Sequence, residues 1–428
     1  MSRGDVLLRN VTTFILVVLF LLPGCVSPNT SIEETDTEVV SLVVWHSFAT
    51  ESKELAAFES QIDQFMASNP GVEVETSAIP YSEAARQFRI AAQGDEAPDF
   101  VRLSSDQLGE IGEVRVGGYP LLQDLRPHLT PLERSKFDDR ALNAMRYDGD
   151  LLGIPASQDC LSLIYNPVLF DAAGIDYPSD DWTLDDMVSA ASQLTQGDVY
   201  GLAMPVKNAY WWFGFQAGYG GSLFDENGTP TLDSNGSAEA MNWMIDLELT
   251  HGVVQTGTQS ESMKTQFLGS KAAMVVDGPW NWATYEAGRI PLQQSLLPIV
   301  DSTGERVSPL VTYKGWSVSK QSTQKEWSVR LALHLSSSDS QREFALETYT
   351  MPTHVDVYID PEVTENSVIS GFLEQLMVGT PAPTTEAMSK VYDPLVTAFE
   401  NVYSGELDAA TALVSADAAL ESDLEGSG

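Results

Sequence analysis

A strand, a helix and a second strand follow one another within about forty residues near the start of the chain. The run VVSLVVW, which starts at Val39, is almost entirely apolar, as in a strand that is buried on both faces. Leu55, Phe58, Ile62 and Phe65 recur at the spacing of one helix face, and the turn NPG separates that helix from the alternating run VEVETSAI. Such strand–helix–strand units build parallel sheets covered by helices, so the segment predicts an α/β fold.

Strand and helix patterns continue along the chain, whose 428 residues exceed what one sheet usually organises. Thr183 is placed as the N-cap of a helix, Asp186 as its capping-box partner, and Trp182 to pack against Met187. Farther on, the strand in FLGSKAAMVVD leads to a helix start at Pro279. We therefore expect two α/β lobes.

Trp280 and Trp282 follow the Gly-Pro step at this helix start. Each residue of an α-helix turns by about 100°, so residues two positions apart point about 200° from each other. The two rings cannot both face one ligand. We expect Trp280 to form a ligand platform and Trp282 to pack in the core.

The N-terminus has the pattern of a secretory signal. Arg3 and Arg9 accompany an apolar run of about a dozen residues, Val11 to Leu22, which is too short for a comfortable membrane span. The following LLPGC resembles a lipobox, in which Cys25 would be lipidated after cleavage. A signal anchor that stays uncleaved is the alternative, and the polar, acidic segment after Cys25 predicts a flexible tether.

The charge balance excludes some partners. The chain has 61 acidic and 23 basic residues, a net charge of -38, which opposes binding to nucleic acid or to anionic lipid headgroups. A halophilic source, in which salt screens self-repulsion, and an ordinary acidic exported protein both remain open.

Motifs for catalysis or cofactors are not recognisable in the sequence. It contains no G-x-S-x-G elbow, no P-loop, and no metal-ligand spacing among five histidines and two cysteines. Acidic residues are so frequent that a pair of carboxylates is uninformative. We expect a binding protein with no cofactor or metal, and a surface glycosidase is the less favoured alternative.

Aromatic residues cluster in three segments that lie near glycines: NAYWWFGFQAGYGG, GPWNW and YKGWSVSK. Sugar rings stack their C–H faces on tryptophan and tyrosine, while their hydroxyl groups need carboxylate or amide partners. Glycine lets a ligand approach the backbone closely. The clusters therefore favour a carbohydrate site over simple core packing.

The order and spacing of several segments resemble those of family 1 of the extracellular solute-binding proteins, which serve maltose and multiple-sugar ABC importers. The matching segments are LVVWHSF, AAQGDEAPDFVRLSS, MRYDGDLLGIPASQDCLSLIYNPVLFDAAGI, DWTLDD, GGSLFDENG, TQFLGSKAAMVVDGPWNW, GWSVSK and TTEAMSKVYDPL. The resemblance implies a two-lobe periplasmic-binding-protein-like fold of type II, with hinge strands between the lobes and a sugar bound in the cleft as the lobes close.

The resemblance also implies an exported receptor that a lipid anchor holds at the outer face of the cytoplasmic membrane. It would deliver a sugar or oligosaccharide to ABC permease subunits that work with a cytoplasmic ATPase. The expected organisation is a signal peptide at 1–25, a tether at 26–38, an N-terminal lobe of 39–157 plus 299–347, and a C-terminal lobe of 160–297 plus 350–425.

The site residues that the resemblance implies are aromatic and acidic. Asp106 and Asp159 would accept hydrogen bonds from sugar hydroxyl groups, and Tyr210, Trp280 and Trp316 would stack on sugar faces. The expected ligand-binding set is Trp45, His46, Asp106, Asp159, Tyr210, Trp211, Trp280, Trp316 and Tyr392.

One departure supports a second reading within the same family. The segment WHS resembles glycerol-phosphate binders, in which His46, Ser47 and backbone N–H groups would hold a phosphate. Few basic residues accompany these motifs, which counts against a polyol-phosphate ligand.

Overall fold

The computed structural model describes residues 39–426. The expected signal peptide, the lipidation site Cys25 and the tether lie outside the described residues. Between residues 39 and 426, no helix is both long enough and apolar enough to cross a membrane.

The strands agree with the α/β pattern that the sequence predicts. In chain order they are β1 Val40–His46, β2 Val72–Ala78, β3 Phe100–Ser104, β4 Arg115–Val116, β5 Tyr119–Pro120, β6 Arg146–Tyr147, β7 Asp150–Leu151, β8 Ile154–Asp159, β9 Ser162–Tyr165, β10 Tyr200–Ala203, β11 Ala272–Asp277, β12 Gln293–Ser295, β13 Leu310–Val318 and β14 Thr380–Pro381.

Helices connect and cover these strands. The first ten are α1 Lys53–Ser68, α2 Ala84–Gln93, α3 Leu108–Gly112, α4 Pro131–Arg134, α5 Asp139–Ala144, α6 Pro167–Ala173, α7 Leu184–Leu194, α8 Ala209–Gly218, α9 Asn235–Leu249 and α10 Ser260–Leu268. The others are α11 Trp282–Ala287, α12 Lys325–Leu335, α13 Ser338–Thr348, α14 Val355–Tyr358, α15 Pro361–Thr364, α16 Ser367–Val378, α17 Glu386–Lys390, α18 Tyr392–Tyr403 and α19 Ala409–Glu425. Short 3₁₀ helices span Tyr81–Glu83, Ser105–Gln107, Arg126–His128 and Pro279–Asn281.

The strands form two main sheets. The first has the order β14-β13-β3-β1-β2, with β8 also paired to β13, and β1 runs parallel to both β2 and β3. The second has the order β10-β11-β9-β12, with β10 parallel to β11. The strand–helix–strand unit that the sequence predicts is therefore β1, α1 and β2.

The chain passes directly from one sheet to the other between β8 and β9. β8 ends at Asp159 in the first sheet, and β9 begins at Ser162 in the second, so only Cys160 and Leu161 lie between them. β13 pairs antiparallel with β8 and places Thr312 opposite Asp159. The end of β8 and the neighbouring part of β13 thus lie where the two sheets adjoin.

The exact lobe boundaries stay a prediction, and two segments pack differently from it. Ile299 forms a bridge with Thr183, so the chain just before β13 lies against the second lobe. β14 pairs with β13 in the first sheet, although its residues fall within the expected C-terminal lobe. Both segments flank crossings between the lobes, where sequence patterns do not indicate which sheet the chain contacts.

The helix start at Thr183 is confirmed. The Thr183 side chain accepts a hydrogen bond from the backbone N–H of Asp186, and the Asp186 side chain accepts one from the N–H of Thr183. The predicted helix start at Pro279 is partly different, because Pro279–Asn281 forms a 3₁₀ turn before α11 begins at Trp282. Trp282 is buried against Tyr349 and Phe372, as predicted.

Candidate functional site

An ion pair lies where the two sheets adjoin. Lys314 of β13 donates to the carboxylate of Asp159 at the end of β8, and the two side chains are 13% and 10% exposed. Thr312 donates to the other Asp159 oxygen at 2.8 Å, and Lys314 also donates to the Thr312 hydroxyl at 3.2 Å. Both oxygens of Asp159 therefore have a partner, and the ammonium group is held in one position.

A second carboxylate lies beside this pair. Asp106, in the 3₁₀ helix after β3, is 7% exposed and accepts a hydrogen bond from the Tyr81 hydroxyl at 3.2 Å. Burial raises the pKa of Asp106 above its usual range. The Lys314 ammonium lies 5.7 Å from the centroid of the Tyr81 ring, a cation–π distance. A polar chain that includes this one ring contact therefore runs from Asp106 through Tyr81 and Lys314 to Asp159.

Two aromatic rings from the second lobe adjoin this chain. Tyr210, near the start of α8, is partly exposed, and its pKa is raised by burial and then by the nearby Asp159 charge. Its ring centroid lies 6.4 Å from that of Trp280, with the two planes inclined by 55°. Trp280 is also partly exposed. The structure thus brings Asp159, Tyr210 and Trp280 into one neighbourhood.

Tyr392 approaches from the C-terminal region. Its ring packs edge-on against Phe213 of α8, with centroids 5.6 Å apart. Burial raises the pKa of the Tyr392 hydroxyl, and the charge of Asp106 raises it further. The predicted residues Asp106 and Tyr392 therefore lie near each other, although 286 positions separate them in the chain.

Trp211 supports these rings from behind. It is 7% exposed, and its indole N–H donates to the carbonyl oxygen of Val276 at 2.7 Å. Its ring also packs edge-on against Tyr210, with centroids 5.6 Å apart. Trp211 therefore ties α8 to the end of β11 and holds Tyr210 in place, so we assign it a packing role in place of the predicted ligand contact.

The structure corrects the prediction for Trp316. Its indole is 2% exposed and packs against Phe58 at 5.5 Å and Phe100 at 5.3 Å between ring centroids. The residue lies well inside β13, where α1 covers it through Phe58. A sugar cannot stack on a ring that is enclosed in this way.

His46 and Trp45 also belong to the first lobe. His46 is 3% exposed, packs against Phe48 and Phe58, and accepts a hydrogen bond from the Phe48 backbone N–H at 3.2 Å. Burial, followed by the charge of Arg102, lowers the pKa of His46 to about 4. The ligand role predicted for His46 is therefore corrected to a neutral core histidine. Trp45, on the other face of β1, is partly buried against the core, and its ligand role stays a prediction.

Sequence reasoning missed Tyr81 and Lys314. Lys314 interrupts the strand LVTYKGWSV, whose other residues are all buried. A lysine in such a strand requires a buried partner, and this signal could have identified it. Tyr81 is 39% exposed at the start of the 3₁₀ helix Tyr81–Glu83, and the sequence carries no comparable signal for it.

A second cation, Arg102 of β3, lies near this polar chain. Its guanidinium group donates to the hydroxyl groups of Ser47 at 3.3 Å and Ser157 at 3.2 Å, and it lies 4.4 Å from the Phe48 ring centroid. Burial raises the pKa of Glu54, and the charges of Arg102 and Lys314 oppose that rise. Both cations thus lie close to carboxyl groups.

This arrangement suits a neutral polyhydroxyl ligand. Carboxylates accept hydrogen bonds from hydroxyl groups, and an ammonium group donates to them. Partly exposed rings of Tyr210 and Trp280 offer apolar faces beside these groups. The site combines hydrogen-bonding and stacking surfaces from both sheets, so a ligand that contacts them together would favour approach of the two lobes.

Comparison with known proteins identifies the fold and the family. The maltose/maltodextrin-binding domain of Bdellovibrio bacteriovorus bound to maltotriose is similar with a TM-score of 0.82 and 23% identity, over 90% of this chain and 100% of that chain. This likeness confirms the two-lobe fold.

Relatives match most of the chain. The galactooligosaccharide-binding protein of Bacillus subtilis is 23% identical over 426 residues, 95% of each chain. The maltooligosaccharide ABC transporter solute-binding lipoprotein of Streptococcus pneumoniae is 23% identical over 353 residues, 79% of this chain and 83% of that protein. A family profile described as bacterial extracellular solute-binding protein matches residues 60–369. The chain therefore belongs to the bacterial extracellular solute-binding proteins, which bind solutes outside the cytoplasm and are not enzymes.

Proposed function

We propose that this protein is the sugar-binding receptor of an ABC importer. It captures a neutral sugar or oligosaccharide between its two lobes and delivers it to the permease. The observation that carries the proposal is the polar chain from Asp106 to Asp159, which adjoins the partly exposed rings of Tyr210 and Trp280. Relatives and solved structures whose names specify oligosaccharides support the ligand class.

Each group in the proposed site has a defined role. Trp280 and Tyr210 stack on sugar faces, Asp106 accepts hydrogen bonds from hydroxyl groups, and Lys314 donates to hydroxyl oxygens. Asp159 holds Lys314 in position and accepts further hydrogen bonds through its remaining lone pairs. Tyr392 closes the side near Asp106.

A thermal-shift screen tests the proposal. Maltose, maltotriose, galactotriose, monosaccharides and glycerol 3-phosphate are added separately to the purified protein, and the sugar is analysed for cleavage afterwards. We expect a neutral sugar to raise Tm without product formation, since a ligand that binds only the folded state stabilises it. Hydrolysis of an oligosaccharide would support a surface glycosidase, and no shift with any sugar would overturn the proposal.

A polyol phosphate is the second candidate ligand. Arg102 donates to Ser47, so a buried cation lies beside a residue that would hold a phosphate in that reading. The nearby Glu54 carboxyl and the burial of His46 count against it. In the same screen, a shift with glycerol 3-phosphate that is lost in Arg102→Met would favour this candidate.

We also propose that Cys25 carries a lipid that holds the receptor at the outer face of the membrane. The lipobox-like LLPGC supports this, as does the S. pneumoniae relative, whose name describes a lipoprotein. Metabolic labelling with a fatty acid should mark the wild type and leave Cys25→Ala unlabelled. Equal labelling of the two proteins would contradict the anchor.

Adaptation to high salt remains a separate proposal that rests on the net charge of -38. Because salt screens repulsion between like charges, the free energy of unfolding should rise between dilute buffer and molar salt. Equal stability under the two conditions would identify an ordinary acidic exported protein.

A further inference from the structure

The backbone of Gly278 does not explain why a glycine precedes Pro279. Its φ of -104° and ψ of 175° describe an extended conformation that any residue adopts. A Cβ atom on Gly278 would lie within 3.0 Å of three carbon atoms of the Trp280 ring, namely Cζ3, Cη2 and Cε3. The six-membered part of the indole therefore rests directly on the Cα of Gly278.

The turn that carries Trp280 is closed by a buried carboxylate. Asp277, the last residue of β11, is fully buried and accepts hydrogen bonds from the Gly278 backbone N–H at 2.8 Å and from the Asn281 side chain at 2.9 Å. Tyr285 of α11 donates its hydroxyl to the same carboxylate. One side chain thus joins the strand end, the 3₁₀ turn and the following helix.

Trp211 connects the ring of Tyr210 to the same end of β11. Trp211 donates to the carbonyl oxygen of Val276, and its ring packs edge-on against Tyr210. Tyr210 and Trp280 are therefore both positioned from consecutive residues at the end of β11. This strand end therefore supports both rings, in addition to the contact that the two rings make with each other.

We propose that Gly278 and Asp277 are positioning residues for the stacking surface of Trp280. Because Gly278 has no side chain, one face of the indole packs flat against its backbone, and Asp277 stabilises the turn that brings the ring there. The opposite face is thereby presented to a sugar in a fixed orientation before binding. This inference rests on the proposed sugar-binding function, and it assigns the cause of the ring orientation to two residues that do not themselves touch the sugar.

The test compares Gly278→Ala, Trp280→Ala and the double variant, with Gly94→Ala as control. Gly94 suits this purpose because an added Cβ would meet only ordinary contacts, the closest at 3.6 Å from the Ala91 carbonyl oxygen. Affinity for maltotriose and galactotriose is measured by calorimetry, and the environment of Trp280 by near-ultraviolet circular dichroism.

We expect Gly278→Ala to weaken sugar binding at least tenfold, and Gly94→Ala to leave it unchanged. Because Gly278 acts through the indole, the double variant should bind no more weakly than Trp280→Ala alone. Wild-type affinity in Gly278→Ala, or a further loss of the same factor in the double variant, would overturn the proposal.

Asp277→Asn provides a second variant if Gly278→Ala does not fold. The amide keeps one acceptor oxygen and replaces the other with a donor, so at least one of the three hydrogen bonds is lost. The turn should loosen, and binding should weaken severalfold. Unchanged affinity together with an unchanged circular dichroism spectrum would remove Asp277 from the proposal.

Failure of the proposed function gives a different result. If the wild type binds no sugar, the receptor proposal is wrong, while the circular dichroism spectra still test whether Gly278 positions the Trp280 indole. If Gly278→Ala displaces the Trp280 indole, its near-ultraviolet circular dichroism spectrum should differ from that of the wild type. The same substitution should leave the spectrum unchanged in a Trp280→Ala background, where the indole is absent. If Gly278→Ala has the same spectrum as the wild type, Gly278 does not position the Trp280 indole.

Discussion

Two tryptophans that stand next to or near glycine in the sequence have different surroundings in the structure. Trp280 follows the end of β11 and stays partly exposed beside Tyr210. Trp316 lies inside β13 and is 2% exposed against Phe58 and Phe100. The first has the surroundings of a ligand platform, and the second those of a core residue.

The neighbouring glycines explain why the two segments look alike. A Cβ on Gly278 would collide with the Trp280 ring, whereas a Cβ on Gly315 would collide with the Met145 side chain and the Ile154 carbonyl. Glycine therefore marks a close approach in both places. Gly278 is approached by the aromatic ring of Trp280, whereas Gly315 is approached by the backbone of β8 and the Met145 side chain. The sequence does not distinguish these two cases.

Trp316→Ala should lose more stability than Trp280→Ala or any of the charge variants. Removal of a large buried aromatic side chain costs about 3–5 kcal/mol of unfolding free energy, because it leaves a cavity that the core cannot fully close. Urea unfolding measures this change.

The matched control is Trp280→Ala, which should lose far less stability because its ring is partly exposed. Similar losses of unfolding free energy in the two variants would contradict the assignment of Trp316 to the core and of Trp280 to the ligand site.

The fold was more predictable than the site. β1, α1, β2 and the capping box at Thr183 follow from local periodicity and helix-start chemistry, and the structure confirms them. The site depends on pairings such as Lys314 with Asp159, which lie on antiparallel strands far apart in the chain. Local patterns indicate that Lys314 needs a partner but not which residue provides it.

Lys314→Met tests the difference between site and core within β13 itself, since Lys314 is two residues from Trp316 and borders the proposed site. The variant leaves the Asp159 carboxylate without its cation, which should cost about 3 kcal/mol of unfolding free energy, the low end for a buried pair, and also weaken sugar binding. Lys320→Met is the control, because Lys320 donates to the side-chain oxygen of Gln123 instead of pairing with a carboxylate.

Addition of Asp159→Asn to Lys314→Met should restore part of the stability, because the uncompensated charge is then removed. If Asp159→Asn lowers the unfolding free energy by the same amount in the wild type and in Lys314→Met, the two effects are additive. The two groups then do not act as a pair.

The two regions should respond oppositely to pH. The folded-state pKa of Asp277 is raised to about 6, so between about pH 4 and 6 the folded state holds a proton that the unfolded chain releases, and this contribution to stability falls as pH rises. The pKa of His46, beside Phe58 of the Trp316 core, is lowered to about 4, so its contribution rises with pH across about pH 4 to 6.5.

Unfolding free energy measured from pH 4 to 6.5 separates the two contributions, each on the order of 2 kcal/mol. Relative to wild type, Asp277→Asn should gain stability more steeply as pH rises, and His46→Gln less steeply. Parallel pH profiles for wild type and both variants would contradict the assignment of these groups.

A calorimetric titration of the wild type and Trp280→Ala, with the sugar that gives the largest thermal shift, tests whether Trp280 stacks on the bound sugar. We expect the wild type to bind one sugar per chain and the variant to bind it at least tenfold more weakly, a loss of about 1.4 kcal/mol, with its fold retained. Equal affinity in the two proteins would show that Trp280 is not the sugar platform.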